Sequence, residues 1–203
     1  MDAARERGAT LLAIPHNGTA SDGLMFSGLD SQGNALDADY ARTRMRNEPL
    51  YEISQIKGTS ETHPELSPND EFAGFELWQY TLSALTERNT VQQGSYLRRA
   101  YRDGLKLDAA GRGSPFKYGI IGDSASYRNS IGDTELKAVW QDPDFDAKAH
   151  AFYYARVIEI PTPRWSTYDA KALGMAPRDD LPVSIQERAW TSPIWYTPSS
   201  GGQ

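Results

Sequence analysis

The sequence predicts an α/β fold that gives way to a small β-rich region toward the C-terminus. Three observations carry this reading. Residues 2–14 read as helix, glycine and apolar strand. Through Gly122 the segments then follow as strand, helix, strand, helix, helix, strand, the alternation of parallel βα units. Beyond that point the chain turns to β-branched and aromatic runs bracketed by Pro161, Pro163, Pro193 and Pro198, which suits an edge or a small antiparallel sheet. The expected division is therefore an α/β region over 1–122 and an aromatic, β-rich region over 123–203.

Each element has a local cause. Asp2–Arg7 reads as the last turns of a helix stopped by Gly8, and Thr10–Ile14 as a buried strand ending at Pro15, His16 and Asn17. Leu24–Asn34 is polar and glycine-rich, hence loop. Asp37 is placed to cap a helix reaching about Arg46, ahead of Pro49. The run LYEISQIK, residues 50–57, reads as a strand with Tyr51, Ile53 and Gln55 on one face. Ser67, Pro68 and Asp70 have the spacing of an N-cap, a first-turn proline and a capping acid. Phe72, Phe75, Trp78, Leu82 and Leu85 follow at helical spacing, which predicts a core-facing helix. Ser95 is placed to cap a further helix carrying Leu97, Ala100, Tyr101 and Leu105, before the turn AGRGSP and the apolar strand Phe116–Ile121.

In the C-terminal region AFYYARVIEI, residues 151–160, and TSPIWYTP predict strands. Between them Ser166–Leu173 reads as a short helix with a Ser166/Asp169 capping box. The aromatics Trp140, Tyr153, Tyr154, Trp165, Trp190, Trp195 and Tyr196 are expected to pack onto the α/β part; lining a ligand cleft or contacting a second chain are the other roles open to them. His150 is expected at the surface.

Composition narrows the chemistry. The chain has 203 residues and 39% hydrophobic content, enough to bury a core. With 27 acidic against 21 basic residues and no Lys/Arg run, nucleic acid is not an expected partner. No apolar stretch reaches the roughly 20 residues of a membrane helix, and Met1 leads into the charged DAARERG, so a cytoplasmic location with no membrane association is expected. With no cysteine, a metal would have to rest on imidazole and carboxylate.

Three stretches together resemble one family: LLAIPHNGTASDGLMF, NEPLYEISQIKGTSETHPELSPNDEFAGFE, and AFYYARVIEIPTPRWSTYDA with QERAWTSPIWYTP. They resemble the bacterial domain of unknown function family 3604, which is in turn similar to the PHP (polymerase and histidinol phosphatase) metal-dependent phosphoesterases. That likeness implies a distorted β/α barrel with metal ions at the C-terminal ends of its strands. It implies His16 as the histidine ligand after a middle strand and Glu52 as the carboxylate on the next, with Glu61 and His63 of SETHP able to add to the site. A divalent Zn, Mn or Fe ion there would lower the pKa of its bound water to about 7 and attack a small phosphoester-like substrate.

The relatives also carry a His-x-His pair on their first strand and a closing Asp-x-His motif, and neither occurs in these 203 residues. At KYGIIGDSASYRN the chain passes from what resembles the strand before Asp-x-His directly into what resembles the distant C-terminal region. A β/α barrel takes about 200–250 residues to close. The expectation is thus a truncated, internally deleted chain: a partial PHP-like barrel, an open sheet with helices, whose metal site is incomplete and whose hydrolase activity is weak or lost. Open sheet edges would favour pairing with a second copy.

Two other function classes match parts of the sequence. A non-enzymatic binding or interaction protein would use the aromatic C-terminal region. An SGNH-type serine esterase would use Ser124 of Gly-Asp-Ser, but that triad needs an Asp-x-x-His, and the nearest spacing, Asp146 to His150, is one residue too long.

Overall fold

The computed structural model describes residues 1–55, 58–82, 87–122 and 135–199. It opens with α1 (Asp2–Arg5), ended by Gly8 at φ +87°. The expected strand at Thr10–Ile14 does not form. Its ties are Ala13 N–H to the Asn47 carbonyl (2.7 Å) and Glu52 N–H to the Pro15 carbonyl (3.0 Å), too few for a ladder, and Leu11 and Leu12 lie exposed. Pro15 has no N–H with which to continue one. Residues 24–34 are turns, as expected, and α2 (Ala38–Asn47) begins where Asp37 accepts a hydrogen bond from Tyr40 N–H (2.8 Å).

β1 (Leu50–Glu52) buries Tyr51 and leads through buried Ile53 into the hairpin of β2 (Ser54–Gln55) and β3 (Gly58–Thr59). Gly58 has φ +94°, and a Cβ there would collide with the Glu76 carbonyl, so the hairpin end needs glycine. α3 (Leu97–Ala109) buries Leu97, Ala100, Tyr101 and Gly104, one face at i, i+3, i+4, i+7. A Cβ on Gly104 would strike the Ser114 hydroxyl, so the missing side chain lets the returning loop lie against the helix. That loop delivers β4 (Gly119–Ile121), which pairs parallel to β1 with Tyr51 opposite Ile120. β1, α3 and β4 form the parallel βα crossover that the alternation predicts.

The helix expected from Ser67 through Leu82 is absent. Residues 67–82 are turns and irregular chain, with Phe72 and Phe75 half-buried and Leu82 exposed; Leu85 lies outside the described residues. Glu76 adopts φ +42°, which no helix interior tolerates, and the Asp70 carboxylate accepts from Phe72 N–H two residues on (3.0 Å), an Asx turn rather than a cap. Ser95 does not cap α3 either, because its hydroxyl accepts from Gly23 N–H (2.8 Å) and donates to the Val91 carbonyl (2.9 Å). The leading N–H groups of α3, on Leu97 and Arg98, donate instead to the carbonyls of Ser60 and Glu61 (2.8 and 3.0 Å).

Past residue 135 the chain builds a long antiparallel ribbon. β5 (Ala151–Tyr153) pairs with β10 (Ile194–Tyr196), β6 (Arg156–Ile158) with β9 (Arg188–Trp190), and β7 (Thr162–Pro163) with β8 (Ser184–Ile185). α4 (Trp165–Ala172) sits at its tip, N-capped by the backbone of Arg164 and not by the expected Ser166/Asp169 box. All sheets among the described residues are two-stranded, and no closed barrel is present there.

The core gathers Phe26, Leu36, Tyr51, Ile53, Leu97, Ala100, Tyr101, Phe116 and Tyr118, and the ribbon packs onto it through Phe152, Trp190 and Trp195. Trp140 and Trp165, by contrast, are exposed. Tyr101 is the hinge pin between the two layers: its ring stands edge-on to Phe152 and Trp195 (5.2 and 5.0 Å), and its hydroxyl donates to the Tyr118 carbonyl (3.0 Å). Tyr101→Phe is expected to cost about 1–3 kcal/mol, leaving a buried carbonyl unpaired. Tyr101→Ala is expected to cost about 3–5 kcal/mol through the cavity it opens. Urea denaturation of the two variants checks both figures.

Candidate functional site

Where β3 meets the start of α3, the chain buries a carboxylate. Glu61 is 2% exposed, and its carbonyl already serves the helix N-terminus. Its carboxylate accepts from Arg98 Nη2 (2.6 Å), from Arg156 Nη1 on both oxygens (3.0 and 2.9 Å) and from the Tyr154 hydroxyl (2.7 Å). The same two arginines reach Asp70, Arg98 Nη1 at 2.7 Å and Arg156 Nη2 at 2.7 Å, while Arg98 Nε donates to the Tyr154 oxygen (2.6 Å). Two guanidiniums thus bridge two carboxylates, tying the loop after β3, the turn at Asp70, α3 and the ribbon into one network.

The electrostatics follow from this packing. Burial alone would raise the Glu61 carboxyl, but Arg98, Tyr154 and Arg156 outweigh it and hold the group below the ordinary carboxylate range. Asp70 behaves alike: burial pushes up, and the hydrogen bonds from Arg156, Arg98 and Phe72 N–H pull it far down. The Tyr154 phenol is pushed up by burial and by the neighbouring Glu61 charge, so it stays a donor.

The four residues implied as metal ligands are placed as follows. His16 is exposed, with Nδ1 3.1 Å from the Ile14 carbonyl, and its own carbonyl accepts from the Gln55 amide. Glu52 is half-buried at the end of β1, its N–H bound to Pro15. Glu61 is the hub just described. His63 is half-buried, with Nδ1 accepting from Glu65 N–H (3.3 Å) and its ring tilted on Tyr96 (5.4 Å). Among the described residues no three His, Asp or Glu side chains group so as to hold a metal ion. A catalytic cation needs about three converging protein donors, and as placed these residues do not provide them. Ser124 lies outside the described residues. His150 is half-buried, not at the surface, with Nδ1 3.6 Å from Asp108.

The family described as Protein of unknown function (DUF3604) matches this chain over residues 1–127 and 122–198. The chain belongs to that family. Neither a curated protein nor a solved structure matches it. No helix among the described residues of this DUF3604 chain is long and apolar enough to cross a membrane.

The sequence reading of this DUF3604 chain named Glu61 but missed its partners Arg98, Arg156 and Tyr154. Two signals were present. Arg156 interrupts the apolar run AFYYARVIEI, and a charge inside a buried strand requires a counter-charge. Arg98 stands in the first turn of a helix, the end where the macrodipole disfavours a cation, so its partner had to come from elsewhere in the fold.

Glu61→Gln is expected to destabilise the protein by about 3–5 kcal/mol at pH 7, because it leaves two buried guanidiniums short of charge. Glu61 and Asp70 both have folded-state values below their unfolded ones. Their contribution is therefore complete above the unfolded value of about 4 and is lost as the pH falls through the folded values. Urea midpoints of the native chain are expected to drop below about pH 4, and the Glu61→Gln/Asp70→Asn variant to show a shallower drop over that range.

Proposed function

We propose that this chain is a relative of the PHP metal-dependent phosphoesterases that binds and does not catalyse. The observation that carries the reading is the Glu61 carboxylate. It is the most buried of the four implied ligands, and two arginines and a tyrosine already fill its acceptor positions. A carboxylate so engaged would have to surrender a buried ionic network before it bound a cation, at a cost of several kcal/mol.

In this reading residues 1–122 are part of a distorted β/α barrel joined to a distal β-rich segment, with no Asp-x-His stretch between them. The meeting of the two family matches at 122–127 supports such a junction. The chain would bind a small phosphoester-like ligand in the cytoplasm, with residual affinity for a Zn, Mn or Fe ion at His16 and Glu52 at most.

The expected result is no chelator-sensitive hydrolysis of p-nitrophenyl phosphate above a metal-only blank when the purified chain is supplied with Zn, Mn or Fe(II). Metal content by mass spectrometry is expected to be substoichiometric and unchanged by His16→Ala. Turnover abolished by chelation and by His16→Ala would overturn the reading.

The ribbon supports a second reading, that of a self-associating interaction protein. Among the described residues no third strand pairs with either of its arms, and Val157 and Ile194 lie exposed along them. Light scattering coupled to size exclusion is expected to show a concentration-dependent mass above the monomer; a monomer at all concentrations would remove this reading.

A further inference from the structure

Behind the Glu61 network lies an arginine that makes no ion pair among the described residues. Arg188, the first residue of β9, is 8% exposed. Its Nη1 donates to the Phe72 carbonyl (2.7 Å), and its guanidinium carbon lies 3.9 Å from the centre of the Phe75 ring. Its Nε is buried and has no hydrogen-bond partner, and among the described residues no carboxylate comes within ion-pair distance of it. Of the carboxylates nearby, Glu61 and Asp70 are committed to Arg98 and Arg156 and Glu76 to both Nη atoms of Arg164 (3.2 and 2.7 Å), while the buried carboxylate of the preceding residue, Glu187, acts on Arg188 from beyond ion-pair distance. Burial, and next the proximity of Arg156, pull the Arg188 guanidinium down from its ordinary value against the longer-range pull of Glu61, Asp70 and Glu187.

A buried cation without a counter-ion is costly, and natural folds retain one where a ligand supplies the missing charge. Arg188 lines a cleft of about 250 Å³ together with Phe72, Phe75, Arg164, Ser184 and Ile185. The lining brings guanidinium groups together with aromatic and aliphatic side chains. Glu71 and Glu76 also line the cleft, but Glu76 is neutralised by Arg164 and Glu71 is exposed. A guanidinium edge matches the two oxygens of a carboxylate in one plane, and aromatic side chains beside such an anchor accommodate the apolar body of a small amphipathic molecule. We propose that this cleft binds a small organic carboxylate, its head group on the Arg188 guanidinium and its apolar body beside Phe72 and Phe75. The site shares no residue with the four implied metal ligands, and the proposal is independent of whether the chain catalyses.

The test is titration of the whole chain with sodium benzoate, followed by calorimetry, with sodium phosphate and sodium chloride at matched ionic strength as separate arms. Benzoate is expected to bind saturably with a Kd of about 1 mM or tighter. Phosphate, lacking an apolar body, is expected to bind about tenfold more weakly or not at all. Arg188→Lys keeps the charge but loses the planar fork, and is expected to weaken benzoate about tenfold or more. Should that variant lose the native circular dichroism, the native chain decides alone. No saturable benzoate signal up to about 10 mM, an equal response to phosphate, or undiminished benzoate binding by folded Arg188→Lys would each overturn the proposal.

Discussion

Burying the Glu61 carboxylate strips it of water at a cost of several kcal/mol, and only charge and hydrogen bonds aimed at both its oxygens can offset that cost. Arg98 arrives from α3, Arg156 and Tyr154 from the ribbon, and Asp70 closes the ring from the opposite turn. The loop after β3, the turn at Asp70, α3 and the ribbon at Tyr154 and Arg156 all meet at this point. Because each partner is itself charged or polar and mostly buried, none can be displaced without stranding another, and the two layers are held at one relative position.

The apolar part of the structure is arranged around that constraint. Tyr51, Tyr101, Phe116 and Tyr118 fill the space between β1, β4 and α3, and Phe152 and Trp195 from the ribbon extend the same cluster outward. Aromatic rings supply much contact area with few rotatable bonds, which suits a core bounded by short strands. The phenols of Tyr101 and Tyr118 are pushed far up by burial, so they stay neutral across the physiological range, and Arg44 lies over the Phe116 and Tyr118 rings as a lid.

Local signals proved legible where one residue acts on its neighbours. Asp37 accepts from an N–H three residues on, so its capping role could be read without knowing the fold. The i, i+3, i+4 pattern of Leu97, Ala100 and Tyr101 likewise marks one helix face. The segment after Ser67 carried equally good signals and forms no helix, because Asp70 is drawn to Arg98 and Arg156 and Glu76 is turned into the left-handed region beside Gly58. The apolar run Leu11–Ile14 failed for a different reason: a strand needs a partner on its edge, and among the described residues a single backbone bond, from Ala13 N–H to the Asn47 carbonyl, reaches it.

The candidate site divides the same way. From the sequence alone came the mixed α/β class, the family likeness, the β-rich C-terminal region and the absence of cysteine chemistry, all of which rest on residue type and on spacing within a few positions. The tertiary structure alone decided that Glu61 is an ionic hub, that Arg188 makes no ion pair among the described residues, and that the ribbon folds back to meet them. These pairs lie 37 to 116 residues apart in the chain. Which charge meets which at that separation is set by how the layers pack, and no periodicity in the sequence records it.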